Sequence, residues 1–174
     1  VFKLLFAFMF VYESSTPIED GGFNSTKVQP LSKTRNLNLK FYRNRCVCSA
    51  GVSIEEFFRT WQGDYERLEC AHNYIQWLFP SPEASMFNYN SQPLTQHEAE
   101  VMRRDPSIQR RLKRSVALFL DFLGLQIDFE ASTENDAISR GKDGPERLLN
   151  AETNPHNFLR ISRMVRCMGE VGLH

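Results

Sequence analysis

Glu69-Cys70-Ala71-His72 sets a carboxylate and an imidazole three residues apart, on one face if the segment is helical. Carboxylate-bridged di-iron bundles use such pairs, but they need two copies and two further glutamates. Neither His97 nor His156 has a glutamate three residues before it, so the pair stands alone and reads as a solvated helix face. Cys70 lies close to His72 in sequence, but a nucleophile and its base must meet in space. Cys46-Val47-Cys48 has no second cysteine pair at zinc-ligand spacing. His97-Glu98 does not extend to a zinc-protease motif, because Val101 stands where the second histidine belongs. Glycine-rich phosphate loops and nucleophile elbows are absent from the sequence. These spacings give no argument for an enzyme, and no cofactor or metal is expected. A catalytic reading would need Glu69 and His72 to face His97 or His156 in the fold, with perturbed pKa values.

Binding chemistry has more to work with. Arg110-Arg111-Leu112-Lys113-Arg114 concentrates four cations in the first half of a predicted helix, where positive charge opposes the helix dipole. Something must compensate it. The acidic stretch of Glu55, Glu56, Asp64, Glu66 and Glu69 is the internal candidate. An import signal or a phosphate-bearing partner is the external one. Trp61, Tyr65, Tyr74, Trp77 and Phe79 form a dense aromatic group, a feature of cores and of binding hot spots alike. In "HNYIQWLFP" (72–80), Ile75, Leu78 and Phe79 are assigned to the core before Pro80 ends the helix. Tyr74 and Trp77 are left to recognise something, beside Met86-Phe87 of the next loop.

The elements that must position these residues are helices. Ser53-Ile54-Glu55-Glu56 and Thr95-Gln96-His97-Glu98 both read as capping boxes. Ile54, Phe57, Phe58, Trp61, Tyr65 and Leu68 follow at helical spacing, interrupted at Gly63-Asp64, and resume as Ala71, Ile75 and Leu78. Asp105-Pro106 starts a helix carrying Ile108, Leu112, Val116, Phe119 and Leu123, which Gly124 ends. A short helix holds Leu148 and Leu149, and a last one runs from near Pro155 through Phe158, Leu159, Ser162, Val165 and Met168. Gly124–Glu130 alternates like a strand but has no visible partner, and 128–144 reads as a long polar loop. The fold class is therefore all-α: one compact domain of about five or six helices.

The chain has 174 residues, 41% of them hydrophobic and 14 of them Phe, enough for one real core. Its net charge is zero, so direct nucleic-acid binding is not expected. Four cysteines in a chain with this much core read as reduced thiols of an intracellular protein. Residues 1–12 form an apolar segment too short to span a membrane. Residues 13–38 read as a flexible linker and 39–174 as the folded domain.

"FYRNR" (41–45), "GVSIEEFFRTWQGDYERLE" (51–69), "HNYIQWLFP" (72–80), "QPLTQHEAE" (92–100) and "HNFLRISRMVRCMGEVGL" (156–173) resemble, in order and spacing, the conserved domain of the opioid growth factor receptor family. The resemblance implies an intracellular receptor for the opioid growth factor peptide, Met-enkephalin, that negatively regulates cell proliferation. It implies nuclear and cytoplasmic placement with perinuclear or membrane association, no enzyme activity and no cofactor; import machinery as a protein partner is the expectation of the basic run 110–114 instead. It also implies that the domain continues past His174. It supplies no peptide-binding residues. An enkephalin-like ligand carries aromatic rings, a thioether and two opposite terminal charges, so its site needs apolar walls, a carboxylate and a cation. Glu66, Glu69, Tyr74, Trp77, Arg111 and Arg114 are the candidates by chemistry. The rival reading is an adaptor domain without a small-peptide pocket, with Trp77 exposed in an apolar patch under a protein partner.

Overall fold

The computed structural model describes residues 36–84, 91–131 and 137–173. The apolar segment 1–12, most of the linker and Met86-Phe87 lie outside the described residues. The order of elements is α1 (Leu37–Tyr42), α2 (Ile54–Trp61), α3 (Tyr65–Cys70), α4 (Ile75–Leu78), α5 (Gln96–Arg104), α6 (Pro106–Phe122), β1 (Leu125–Ile127), β2 (Ile138–Arg140), α7 (Gly144–Thr153) and α8 (His156–Glu170). The expected all-α class holds. The strand-like stretch is not alone, however: β1 pairs antiparallel with β2, Leu125 opposite Arg140 and Ile127 opposite Ile138. β2 was hidden in the polar loop because Ile138-Ser139-Arg140 offers only one apolar residue to an alternation test. Helix α1 likewise begins at Leu37, inside the stretch read as linker.

Local chemistry starts and stops the helices as the sequence predicts. Thr95 and Glu98 complete a reciprocal capping box, and Asp105 accepts from the amides of Ser107 and Ile108 ahead of Pro106. Ser53 caps α2 through the Glu56 amide, and Asp64 caps α3 through the Arg67 amide. Gly124 ends α6 at φ +80°, and a Cβ there would stand 2.6 Å from Arg147 Cβ and 2.8 Å from Gly144 O. The hairpin can therefore fold back beside α7 only with glycine at this position.

Helix α6 is the spine. It packs against α2, α5 and β1 and buries Ile108, Leu112, Val116, Phe119 and Phe122. Around it sits an aromatic core of Phe41, Tyr42, Phe57, Trp61, Tyr74 and Phe79, each 2% exposed or less. Phe57 stacks on Trp61 at 4.6 Å, and Tyr74 closes on both rings at 5.4 and 5.3 Å. The Tyr42 hydroxyl donates to the Leu78 carbonyl, so it reaches a partner inside the core.

One buried carboxylate ties the two ends of this arrangement. Glu98 is fully buried and accepts from the amides of Asn38 and Thr95, the side-chain amides of Asn38 and Gln92, and the Thr95 hydroxyl. Helix α1 has no side-chain cap of its own, because Asn36 makes none. Gln92 and Glu98 satisfy its first amides from more than fifty residues away. Glu98→Ala should orphan all of these donors and cost about 3 kcal/mol of stability, measured as a lowered urea midpoint with an unchanged m-value.

Candidate functional site

The chain between α3 and α5 builds a groove against α8. Helix α3 ends at Cys70, and α4 does not begin until Ile75. The single continuous stripe expected from Leu68 to Leu78 is thus broken at Ala71–Asn73. The break re-aims the segment, so Tyr74, Trp77, Leu78 and Phe79 turn inward while Ile75 and Gln76 also border the groove. The opposite wall is α8, which contributes His156, Leu159, Arg160, Arg163 and Arg166. Ser81, Glu83 and Ala84 close one end. The enclosed volume is about 670 Å³, within the range of about 300–1,000 Å³ that small-ligand sites occupy. Leu159 is 54% exposed there, among the few large apolar side chains open to water.

Behind the groove lies a polar cluster. Glu69 accepts from Asn150 Nδ2 at 2.8 Å and Asn157 Nδ2 at 3.2 Å, and its Oε1 is 2.5 Å from His156 Nε2. Burial pushes the Glu69 carboxyl upward, but the two amides and the neighbouring His156 and Arg160 outweigh it and hold the carboxyl below its ordinary value. Arg160 is buried and donates to the carbonyls of Leu68, Glu69 and Ala71 at 2.9–3.0 Å. His72 Nδ1 is 3.2 Å from the same guanidinium, and the rings of His72 and His156 meet edge to face at 5.5 Å. Burial, and then the charges of Arg160 and His156, lower the His72 pKa; Glu69 opposes them.

The sequence-predicted residues divide clearly. Glu69 and His72 do face His156, while His97 is exposed on α5 and takes no part. The isolated solvated pair is therefore part of an interhelical cluster, which sequence spacing could not show because His156 is remote in the chain. Tyr74 is fully buried and Trp77 is 6% exposed, its indole N–H donating to Ser49 Oγ at 2.9 Å. Their assignment as surface recognition residues is corrected: both rings belong to the core, and neither offers a face to a ligand. The broken helix is the reason, since Tyr74 and Trp77 were placed by continuing a stripe that ends at Cys70. The exposed Trp77 of the adaptor reading falls with it. Glu66 is exposed on α3.

Arg111 and Arg114 both bind Glu55, at 2.7 and 2.9 Å, and Arg111 also donates to the Tyr42 carbonyl at 3.0 Å. Arg114 covers the Phe58 ring at 4.1 Å. Lys113 pairs with Glu130 at 3.4 Å. Three of the four cations of the basic run thus share two carboxylates within the fold, Glu55 and Glu130, and the run lies away from the groove. The residues that sequence reasoning missed are Leu159, Arg163, Arg166 and Glu83. Arg160, Arg163 and Arg166 recur every third position of α8, a signal present in the sequence but masked by its mixture with core residues.

Among the described residues no group of histidine, cysteine and acidic side chains could hold a metal ion, and all four cysteines are free thiols. No helix among them is long and apolar enough to cross a membrane.

The fold and groove define a helical domain with a cation-lined, apolar-walled cleft. The pattern of the family described as the opioid growth factor receptor (OGFr) conserved region matches residues 31–174, and the chain belongs to that family. It is 38% identical over 136 residues to opioid growth factor receptor-like protein 1 of Xenopus tropicalis, covering 78% of this chain and 26% of that protein. It is 37% identical over 137 residues to the opioid growth factor receptor of Homo sapiens, covering 78% of this chain and 20% of the receptor. The mouse receptor gives 36% over 137 residues, with 78% and 21% covered. The chain thus spans only a fifth to a quarter of these relatives. No solved structure matches it.

Two predictions follow from the ion pairs. Arg111→Gln should lower stability by about 1–2 kcal/mol, because the Tyr42 carbonyl loses its charged donor; thermal denaturation at neutral pH reads it. His72 should titrate below its ordinary 6.5 in an NMR pH series. Because the folded pKa is depressed, its contribution to stability is present above the unfolded value and is lost as pH falls through the folded one. His72→Asn should accordingly flatten the stability loss as pH falls from 6.5 through the folded His72 pKa, leaving a later loss as Glu69 takes its proton.

Proposed function

We propose that this domain is a non-enzymatic receptor for a short peptide, the opioid growth factor Met-enkephalin, seated in the groove between α8 and the Ile75–Ala84 segment. The observation that carries the reading is the composition of that groove. It joins an apolar wall of Ile75, Ala84 and Leu159 to a cation row and one carboxylate, Glu83. These are the surfaces that a peptide with aromatic and thioether side chains and two opposite terminal charges requires. Family membership and the names of the relatives support the same choice.

The polar cluster favours binding over catalysis. The Glu69 carboxylate already accepts from Asn150 and Asn157, so the group that would serve as a base is a structural tie between α3, α7 and α8. Negative regulation of cell proliferation, and placement in nucleus and cytoplasm with perinuclear or membrane association, belong to the same family-based proposal. Import machinery as a protein partner rests on the basic run instead, of which Arg111 and Arg114 are engaged by Glu55.

Leu159 provides the test. It is exposed, so Leu159→Gln should leave the fold intact and weaken peptide binding about tenfold, as loss of an apolar anchor would. Isothermal titration of the wild-type and variant chains with Met-enkephalin and with a scrambled peptide reads both affinity and sequence dependence. Equal affinity of the two chains removes the groove from the proposal. Equal affinity for the two peptides removes the receptor function.

A further inference from the structure

The three arginines of the groove are not equivalent. Arg160 is committed to the carbonyls at the end of α3. Arg166 pairs with Glu83 at 3.0 Å. Arg163 donates through Nε to the Phe79 carbonyl at 2.8 Å, and its two terminal nitrogens bond to no described residue. One edge of its guanidinium is therefore pinned to the backbone, and the other carries no hydrogen bond to a described residue. The side chain is half-buried along the groove wall, with Ile75, Ala84 and Leu159 also lining the cleft.

We propose that Arg163 is the anchor for the free C-terminal carboxylate of a short apolar peptide lying in the groove. The proposal rests on the peptide-receptor reading and specifies which end of the ligand is recognised. A guanidinium held at Nε presents its remaining N–H groups as a fixed fork, and a carboxylate matches that fork with two parallel hydrogen bonds. Because the fork is already immobilised, little side-chain freedom is lost on binding. Glu83 sets the charge that the site accepts. Its carboxylate lies at the same end of the cleft as Arg166, and it repels a dianion such as phosphate more strongly than a monoanion. Burial lowers the Arg163 pKa from its ordinary value, and Glu83 opposes that shift. The neighbouring apolar wall takes the side chain that precedes the carboxylate.

The experiment compares ligands that differ only at the C-terminus. The whole chain is titrated calorimetrically with Met-enkephalin as free acid and as C-terminal amide, and with N-acetyl-phenylalanyl-methionine in the same two forms. The free acid should bind about tenfold more tightly than the amide in each pair. Arg163→Gln should abolish the difference. Glu83→Gln should strengthen binding of the N-acetylated acid several-fold and leave its amide unchanged. That gain cannot come from a damaged fold, and the acetyl group leaves Glu83 no ammonium to meet. Equal affinity of acid and amide overturns the proposal, as does discrimination that survives Arg163→Gln. If Met-enkephalin binds in neither form, the receptor reading falls, and the N-acetylated pair decides the anchor by the same comparison. Absence of binding by the N-acetylated acid up to millimolar concentration then overturns the anchor as well.

Discussion

Arg160 carries a full charge into a site only 5% exposed, and its donors go to three carbonyls and the Asn157 side chain. Helix α3 is six residues long, and its last carbonyls have no partners within the helix. A guanidinium placed at this negative end satisfies them and is itself stabilised by the helix dipole. This one side chain of α8 thereby fixes where α3 stops. It also fixes the start of the segment that turns back toward α4. The groove exists because that junction is held: one wall is α8, the other is the chain emerging from the end that Arg160 caps.

The same junction decides the fate of the aromatic run. After the break at Ala71–Asn73, Tyr74 enters the cage of Phe57 and Trp61, and its hydroxyl donates to the Leu68 carbonyl at 3.0 Å. Trp77 packs edge-on to Phe41 at 5.5 Å. A helix turn that displays large rings in sequence thus inserts them into the core, at a gain of about 1.5–3 kcal/mol for each large side chain buried. What remains at the surface is less conspicuous: Leu159, with half its side chain in water, and the arginines beside it. The proposal assigns recognition to Leu159 and Arg163, which combine apolar surface with a cation whose terminal nitrogens bond to no described residue.

Charge is handled in two ways. Glu98 and Glu69 are surrounded by donors and act as joints between elements distant in sequence. Glu55 pairs with both Arg111 and Arg114 at a half-exposed surface, and the two arginines hold its carboxyl below the ordinary range against the opposing effect of burial. The basic run therefore looks like a partner-binding motif in sequence and serves as an α2–α6 clamp in the fold. The groove cations of α8 are arranged otherwise, with a single carboxylate among the described residues, Glu83, lining the cleft.

Much of the architecture could be read directly from local sequence. Caps at Ser53, Asp64, Thr95 and Asp105, the proline after Asp105, the glycine that ends α6 and the apolar spacing of α2 and α6 are short-range features, and helices are short-range objects. The α8 stripe of Phe158, Leu159, Ser162, Val165 and Met168 is corrected: apart from Met168, the buried face is Asn157, Arg160, Ile161, Met164 and Cys167, because Arg160 and Asn157 turn inward to the end of α3. The family was equally legible, because its blocks keep their order and spacing. The β1–β2 pairing, the isolation of α4 and the capping of α1 by Gln92 and Glu98 were not, since each depends on groups brought together from far along the chain. The candidate site belongs to this second kind. Glu69 was visible in the sequence, and its tie to His156, Asn150 and Asn157 was not. Tyr74 and Trp77 had the right chemistry and the wrong location. Sequence periodicity determined which faces of α2 and α6 are apolar. Only tertiary structure decided which cations remain without a carboxylate, because that depends on the positions of Glu55, Glu83 and the end of α3 in space.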